Sequence, residues 1–440
     1  MTGQTASVAG SSVSLMVAPV LAVTQLDATT SEVAWLTFAG QLPPALLALH
    51  AGALADRSPK QKQMIAGDLV SAGAVATLPA AAALGELTLM QLMTVTVVQS
   101  AAKVLHDAAA ISFLPSLVDR ALVQRSNSRV GALFAVAATA GSHLGAALTA
   151  LLDPARALLA DVGSYLISAS CTARIQSPPA DEAAGGKRHL HREISAGLRY
   201  VHRDTRLATL TLVNASTSFA LALLNTLWAL YLLRTLAMSP TAFGVTLGIG
   251  TLGAVVGAWS APSLARRFGP GPMMLTALAL TPLTQIPVLL ASPGLAWQVG
   301  IGAALVGQLA CASAVGTTQR SIRQVVTNSD MQGRMQAAST WLTSSSRPLA
   351  ALLAGALGTW LGVRPTLGIG ACLLLIPLAV FARSSLRALR EMPDPTPRPT
   401  RKGELAAPPP TPAPQGGPSV PRPVHTDEES HERAGKGDAP

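Results

Sequence analysis

The sequence predicts an all-α membrane protein of twelve transmembrane helices in two six-helix, pseudo-symmetric halves. Three observations predict it. Of 440 residues, 49% are hydrophobic and 12% charged, against about 25% charged in an ordinary soluble domain. The apolar residues fall in runs of roughly 20, the length that crosses a bilayer core. The longest internal interruption, between Arg174 and Arg206, follows the sixth run.

The runs cover residues 8–24, 33–53, 64–84, 88–114, 130–152 and 157–173, then 207–233, 242–264, 273–290, 297–318, 335–361 and 366–382. They divide the chain into an N-terminal half (1–173), a central loop (174–206), a C-terminal half (207–383) and a tail (384–440). Gly and Pro inside the runs are tolerated in membrane helices. Pro43 and Pro44 should bend span 2 and release carbonyls from its ladder.

Loop charge predicts orientation. One set of loops holds Arg57, Lys60 and Lys62, then Arg120, Arg125 and Arg129, then Arg266 and Arg267, then Arg320, Arg323 and Arg334. The opposite set holds Asp27, Glu32, Glu86 and Asp153 with only Arg156, Arg234 and Arg364 as basic residues. The positive-inside rule places the first set and both termini in the cytoplasm of a multi-pass protein of the cytoplasmic membrane. It also accounts for the net charge of +10 without nucleic acid, since no aromatic-rich basic patch offers base stacking. The basic loops meet anionic lipid instead.

The central loop opens on a flexible Pro/Gly stretch. It then places Leu190, Ile194, Leu198 and Val201 at helical spacing, with Arg192, Arg199 and Arg203 elsewhere on the surface. That pattern predicts an amphipathic helix on the inner leaflet. The tail, rich in Pro, Arg, Glu and Gly, lacks the apolar residues for a core and is expected to be disordered. Cys171, Cys311 and Cys372 lie far apart in apolar runs, which argues against a disulfide framework or zinc site. No phosphate-binding glycine loop, Asp-rich metal motif or His cluster appears, so no cofactor, metal or catalytic residue is expected.

The turn between spans 2 and 3 reads Gly52-Ala-Leu-Ala-Asp56-Arg57-Ser-Pro-Lys60-Gln-Lys62. With two six-span halves and a long central loop, it resembles the major facilitator superfamily over roughly residues 1–385. Gly52, Leu54, Asp56 and Arg57 match that superfamily's loop 2–3 signature; Pro59 and Gln61 depart from it. Phe113-Leu-Pro-Ser-Leu-Val118, Asp161-Val-Gly-Ser-Tyr165-Leu-Ile-Ser168, Glu193-Ile-Ser-Ala-Gly197-Leu-Arg-Tyr-Val201 and Gly333-Arg-Met-Gln-Ala337 look like its drug and siderophore exporter branch, the transmembrane secretion effectors. The resemblance implies that Gly52, Asp56, Arg57 and Lys60 form a conformational latch. Drug antiporters of the superfamily carry Gly-Pro in span 5, where this chain has Gly141-Ser142-His143.

Ionisable residues at membrane depth are costly and so mark candidate sites. They are Asp68, Asp107, His143 and Arg347 for proton or substrate. Lys103 and Asp107, four apart, can pair on one helix face. Asp161, near the outer end of span 6, reads as interfacial. Gln41, Asn214, Asn225, Trp228 and Gln308 are candidates to line a cavity. Together these predict a monomeric, proton-coupled exporter of a small hydrophobic or amphiphilic compound: a drug, siderophore or secondary metabolite. An importer or uniporter of the same fold, and a non-transporting sensor or scaffold, fit the same residues.

Overall fold

The computed structural model describes residues 2–57, 59–117, 151–175, 190–328 and 331–391, with isolated helical positions between 133 and 149. For 48–57, 111–112, 114–117 and 190–194 it describes backbone only. His143 and most of the tail lie outside the described residues, as do the side chains of Gly52, Asp56 and Arg57.

The described residues are helical from end to end. Helices α1 (Thr2–Thr24), α2 (Thr30–Arg57), α3 (Lys60–Leu84) and α4 (Leu89–Leu117) open the first half. After the partly described fifth segment come α5 (Pro154–Ala157) and α6 (Leu159–Ala173). Helix α7 (Leu190–Arg203) occupies the central loop. The second half runs through α8 (Thr205–Leu230, continued by a π turn, Tyr231–Thr235), α9 (Pro240–Phe268), α10 (Pro270–Leu283) and α11 (Ile286–Leu290). It then continues as α12 (Leu295–Val326), α13 (Gln332–Trp360), α14 (Val363–Leu373) and α15 (Leu375–Ala382), with a 3-10 turn at Ser385–Ala388. Among the described residues, seven helical segments are long and apolar enough to cross a membrane. Helices α2, α4 and α13, at 28, 29 and 29 residues, also have the length, at about 1.5 Å per residue.

Local chemistry sets the helix ends. Thr29 and Glu32 form a reciprocal capping box before α2: Thr29 N donates to Glu32 Oε2 at 2.7 Å and Glu32 N to Thr29 Oγ1 at 3.4 Å. Asp153, Asp204 and Ser239 cap α5, α8 and α9, with Pro at the first turn after Asp153 and Ser239. Gly85 ends α3 in the left-handed conformation, φ 75°.

Pro44 has no amide proton to offer the carbonyl of Gly40. Ser100 of α4 supplies the missing donor, its Oγ lying 2.7 Å from Gly40 O. The carbonyl expected to be free is therefore a tie between α2 and α4.

The two halves share one apolar core at the end carrying residues 20–36. Val17, Val20, Leu21 and Val33 there pack in one cluster with Leu223, Leu224, Leu227 and Tyr231. Helix α2 meets α13 along the seam between halves. Gly355 faces Ala34, and Gly358 faces Thr30 and Leu227. Arg234 crosses the same seam, Nη2 donating to Val23 O at 3.1 Å and lying 3.4 Å from Asp27 Oδ1. At the opposite end the described cores are separate. Met64, Ala109 and Phe113 cluster in the first half; Leu207, Leu210, Ile322, Met335 and Phe381 cluster in the second.

Two peripheral elements differ from expectation. Helix α7 forms where the spacing predicts, but its apolar side docks on protein rather than lipid alone. Val201 is buried in the second half's core, and Gly197 packs on the backbone of Arg334. The chain expected to leave the bundle after residue 383 stays against it. Leu386 is buried, and Gly271 N donates to Leu389 O at 2.9 Å.

Candidate functional site

Helix α6 carries a polar face. Asp161, Ser164, Tyr165, Ser168 and Thr172 recur at helical spacing and are all buried. Asp161 is corrected by the structure: it is 0% exposed, not interfacial. Its partners fix its depth. Ser14 donates to Oδ2, Gln99 Nε2 lies 3.0 Å from the same oxygen, and Ser164 Oγ lies 3.2 Å from Oδ1. Ser14 and Gln99 are each ten residues from their helix ends at Thr24 and Leu89, hence about 15 Å along the axis. Tyr165 extends the network, its hydroxyl 3.1 Å from Ser11 Oγ and 3.0 Å from Gln99 Nε2. Gly10 of α1 packs directly on this network, so a side chain there would collide with Ser164 and Asp161.

Toward the other end of the half lies a second group. Asp68 of α3 is 2% exposed. His106 of α4 sits between two carboxylates, Nε2 3.6 Å from Asp68 Oδ1 and Nδ1 3.5 Å from Asp107 Oδ1. Asp107 also pairs with Lys103 at 3.2 Å, both half-exposed. The expected Lys103–Asp107 pair is thus present, but the buried partnership is Asp68 with His106. Lys60, the described member of the latch, opens α3 and is half-buried. Gln61, where the loop departs from the superfamily signature, ties that loop to α6: its Nε2 donates to the carbonyls of Thr172 and Ile175, each at 2.8 Å.

The second half contrasts in charge. Between Asp204 and Glu391 the sequence has one acidic residue, Asp330, which lies outside the described residues, and no histidine. One buried guanidinium, Arg323 in the last turn of α12, donates Nη2 to Leu210 O at 2.8 Å; elsewhere in the interior of this half neutral side chains pair. Asn214 Nδ2 donates to Thr343 Oγ1 at 2.9 Å, and Gln285 Nε2 to Gln308 Oε1 at 3.1 Å. Gln308 is therefore a buried link between helices rather than an open-face residue. Trp228 is buried, Gln41 is half-buried and Asn225 is exposed.

Arg347 is the one cation deep within a helix of that half. It lies 15 residues from Gln332 and 13 from Trp360. At about 100° per residue it lies within about 20° of Gly358, on the side of α13 that faces α8 and, across the seam, α2. It is exposed and forms no ion pair or hydrogen bond among the described residues. The site therefore sets titratable groups inside the first half against a guanidinium on the second half's facing surface.

A family model described as transmembrane secretion effector matches residues 3–406. Among solved structures, the chain is similar to the nucleoside transporter NupG at 10% identity and TM-score 0.70, covering 86% of this chain and 96% of that one. A bacterial homologue of the iron transporter ferroportin, in an inward-facing state, gives 16% identity and TM-score 0.67 over 87% and 96%. A bacterial homologue of the human lysosomal transporter Spinster, inward-facing and occupied, gives 12% and 0.64 over 86% and 93%. No curated protein sequence matches.

Proposed function

The chain belongs to the transmembrane secretion effector family of major facilitator transporters, a multi-pass membrane transporter of a small molecule, and from this premise we propose that it drives proton-coupled efflux. The cargo is a small hydrophobic or amphiphilic compound, moved out across the cytoplasmic membrane by alternating access.

One observation carries the reading: the halves share a core at the 20–36 end and hold separate cores at the other. With the basic loops in the cytoplasm, the shared core closes the outer side and cargo enters from within. The Gly52–Lys60 loop, between α2 and α3, latches the cytoplasmic side in the opposite state, with Asp56 and Arg57 as its charged members. Asp68 and His106, beside that loop, exchange protons, and Asp107 modulates them. His143 takes a place in the same half. Arg347 receives an anionic group of the cargo, with Gln41, Asn214, Asn225 and Trp228 near its path. One charge moving down 100 mV supplies about 2.3 kcal/mol, enough to hold a roughly fifty-fold gradient of a neutral compound.

The test is uptake of labelled compounds into everted membrane vesicles. Respiration should drive uptake that a protonophore abolishes. Absence of energised uptake across a broad panel, with the protein present in the membrane, overturns export.

A further inference from the structure

We propose that Asp161 is a proton-binding site of the transport cycle, loaded and unloaded along the buried polar face of α6 toward Asp68 and His106. This deepens the proton-coupled reading and rests on it.

The geometry is that of a reversible site. Asp161 is fully buried at mid-depth, and its donors, Ser14, Gln99 and Ser164, are all neutral. Among the described residues it forms no ion pair. Among the described residues, the charged and titratable groups around it can be named helix by helix; His143 of the fifth segment lies outside them. Helix α1 offers none. Helix α3 offers Asp68, another acid. Helix α4 offers Lys103, His106 and Asp107, and Lys103 is already paired with Asp107. Its own helix offers Tyr165. A lone carboxylate in this setting is costly, and a proton is the simplest neutralising partner.

The hydrogen-bond chemistry suits both states. The ionised carboxylate accepts from Ser14 and Gln99, and Ser164 Oγ, 2.7 Å from Asp161 O and 3.2 Å from Oδ1, shares its one proton between the two. When a proton adds to one oxygen, the charge goes from −1 to 0, and the new O–H donates to Ser14 or Ser164, whose hydroxyls can turn from donor to acceptor. Release restores the first arrangement.

A route is also present. Ser168 lies two turns from Asp161 on the same face, about 10 Å along the helix, and neighbours Asp68. On α4, Gln99, Lys103 and His106 share one face by spacing. Ser168 Oγ, Asp68 Oδ2 and His106 Nε2 are buried with no hydrogen-bond partner among the described residues. These three atoms retain bonding capacity between Asp161 and the basic-loop end. The second half has no acid or histidine in its helices, so coupling chemistry falls to this half.

The test uses the full chain, reconstituted, with no cargo added. Infrared difference spectra across a pH step should show the C=O stretch of a protonated carboxylic acid in Asp68→Asn; that band, present at the same frequency in the wild type, should be lost in Asp161→Asn, where any remaining band is that of Asp68. In parallel, spin labels at the exposed Glu86 and Ser292 positions, with Cys171, Cys311 and Cys372 replaced by alanine, report opening of that end. Acidification should shift the distance distribution in the wild type but not in Asp161→Asn. Persistence in Asp161→Asn of the band seen in Asp68→Asn overturns the proton site. A band that vanishes while the pH response survives overturns its role in the cycle. A wild type without a pH response removes proton coupling itself, a failure the infrared band separates from the first. Should Asp161→Asn fail to insert, Gln99→Leu keeps the carboxyl and must move the band; an unmoved band counts against the proposal.

Discussion

Thr30 of α2 and Gly358 of α13 meet across the seam between the halves: a carbon added to Gly358 would lie 2.7 Å from Thr30 Cγ2. One turn away, Gly355 faces Ala34 in the same way. Overpacking a tight contact costs about 1–3 kcal/mol. Gly358→Val should therefore shift the balance by about tenfold or more toward the state open at this end. Spin-label distances across the seam check it; an unchanged distribution would mean that this contact does not hold the end shut.

Asp56→Asn should cut transport while leaving expression and membrane insertion normal, because it removes the latch's acidic member and little else. The readout is energised uptake in everted vesicles at matched protein level. Wild-type uptake in the variant would remove the latch role.

Asp68→Asn should uncouple the carrier. Net transport driven by a proton gradient falls by about tenfold, equivalent to 1.4 kcal/mol, while exchange of labelled for unlabelled compound persists. His106→Gln should flatten the pH dependence of the same rate. If gradient-driven transport and exchange fall together, the pair is structural.

Arg347→Gln should weaken binding of anionic compounds by about tenfold or more, since a hydrogen bond to a charged group contributes about 1.5–3 kcal/mol. Neutral compounds should be little affected. Arg347→Lys keeps the charge and loses the fork, so it should recover part of the affinity. Equal losses for neutral and anionic compounds would contradict an anion-binding role.

Ser100→Ala removes the donor that serves Gly40 O. Interhelical side-chain hydrogen bonds in membranes average about 0.6 kcal/mol, so the variant should unfold slightly earlier in detergent with transport intact. Ser100→Thr keeps the donor and should restore most of that loss.

The spans were legible because an apolar run of the right length admits one interpretation in a bilayer. Helix α7 was legible from four apolar positions, yet its docking on Arg334 was not, because an amphipathic face does not say whether lipid or protein covers it. Asp161 was misjudged for a related reason. Its distance from the charged turn at Asp153 suggested the membrane edge, whereas its depth is set by Ser14 and Gln99, which are 147 and 62 residues away. Asp68 with His106 was hidden likewise, since the local Lys103–Asp107 pair is visible in spacing and a partnership between helices is not. The periodic Ser164, Tyr165, Ser168 and Thr172 face was the available signal.

The contact of Gly271 with Leu389 sets a practical boundary for engineering. Gly269 adopts φ 88° and passes beside Arg390, and Arg390 Nη1 reaches Phe268 O at 3.5 Å. The segment from Ser384 to Glu391 is thus the lid of the α9–α10 turn. A fusion junction, affinity tag or truncation placed at Arg383 would unroof that turn and confuse loss of the tail with damage to the transporter body. Placed after Glu391, the same cut would report on the tail alone.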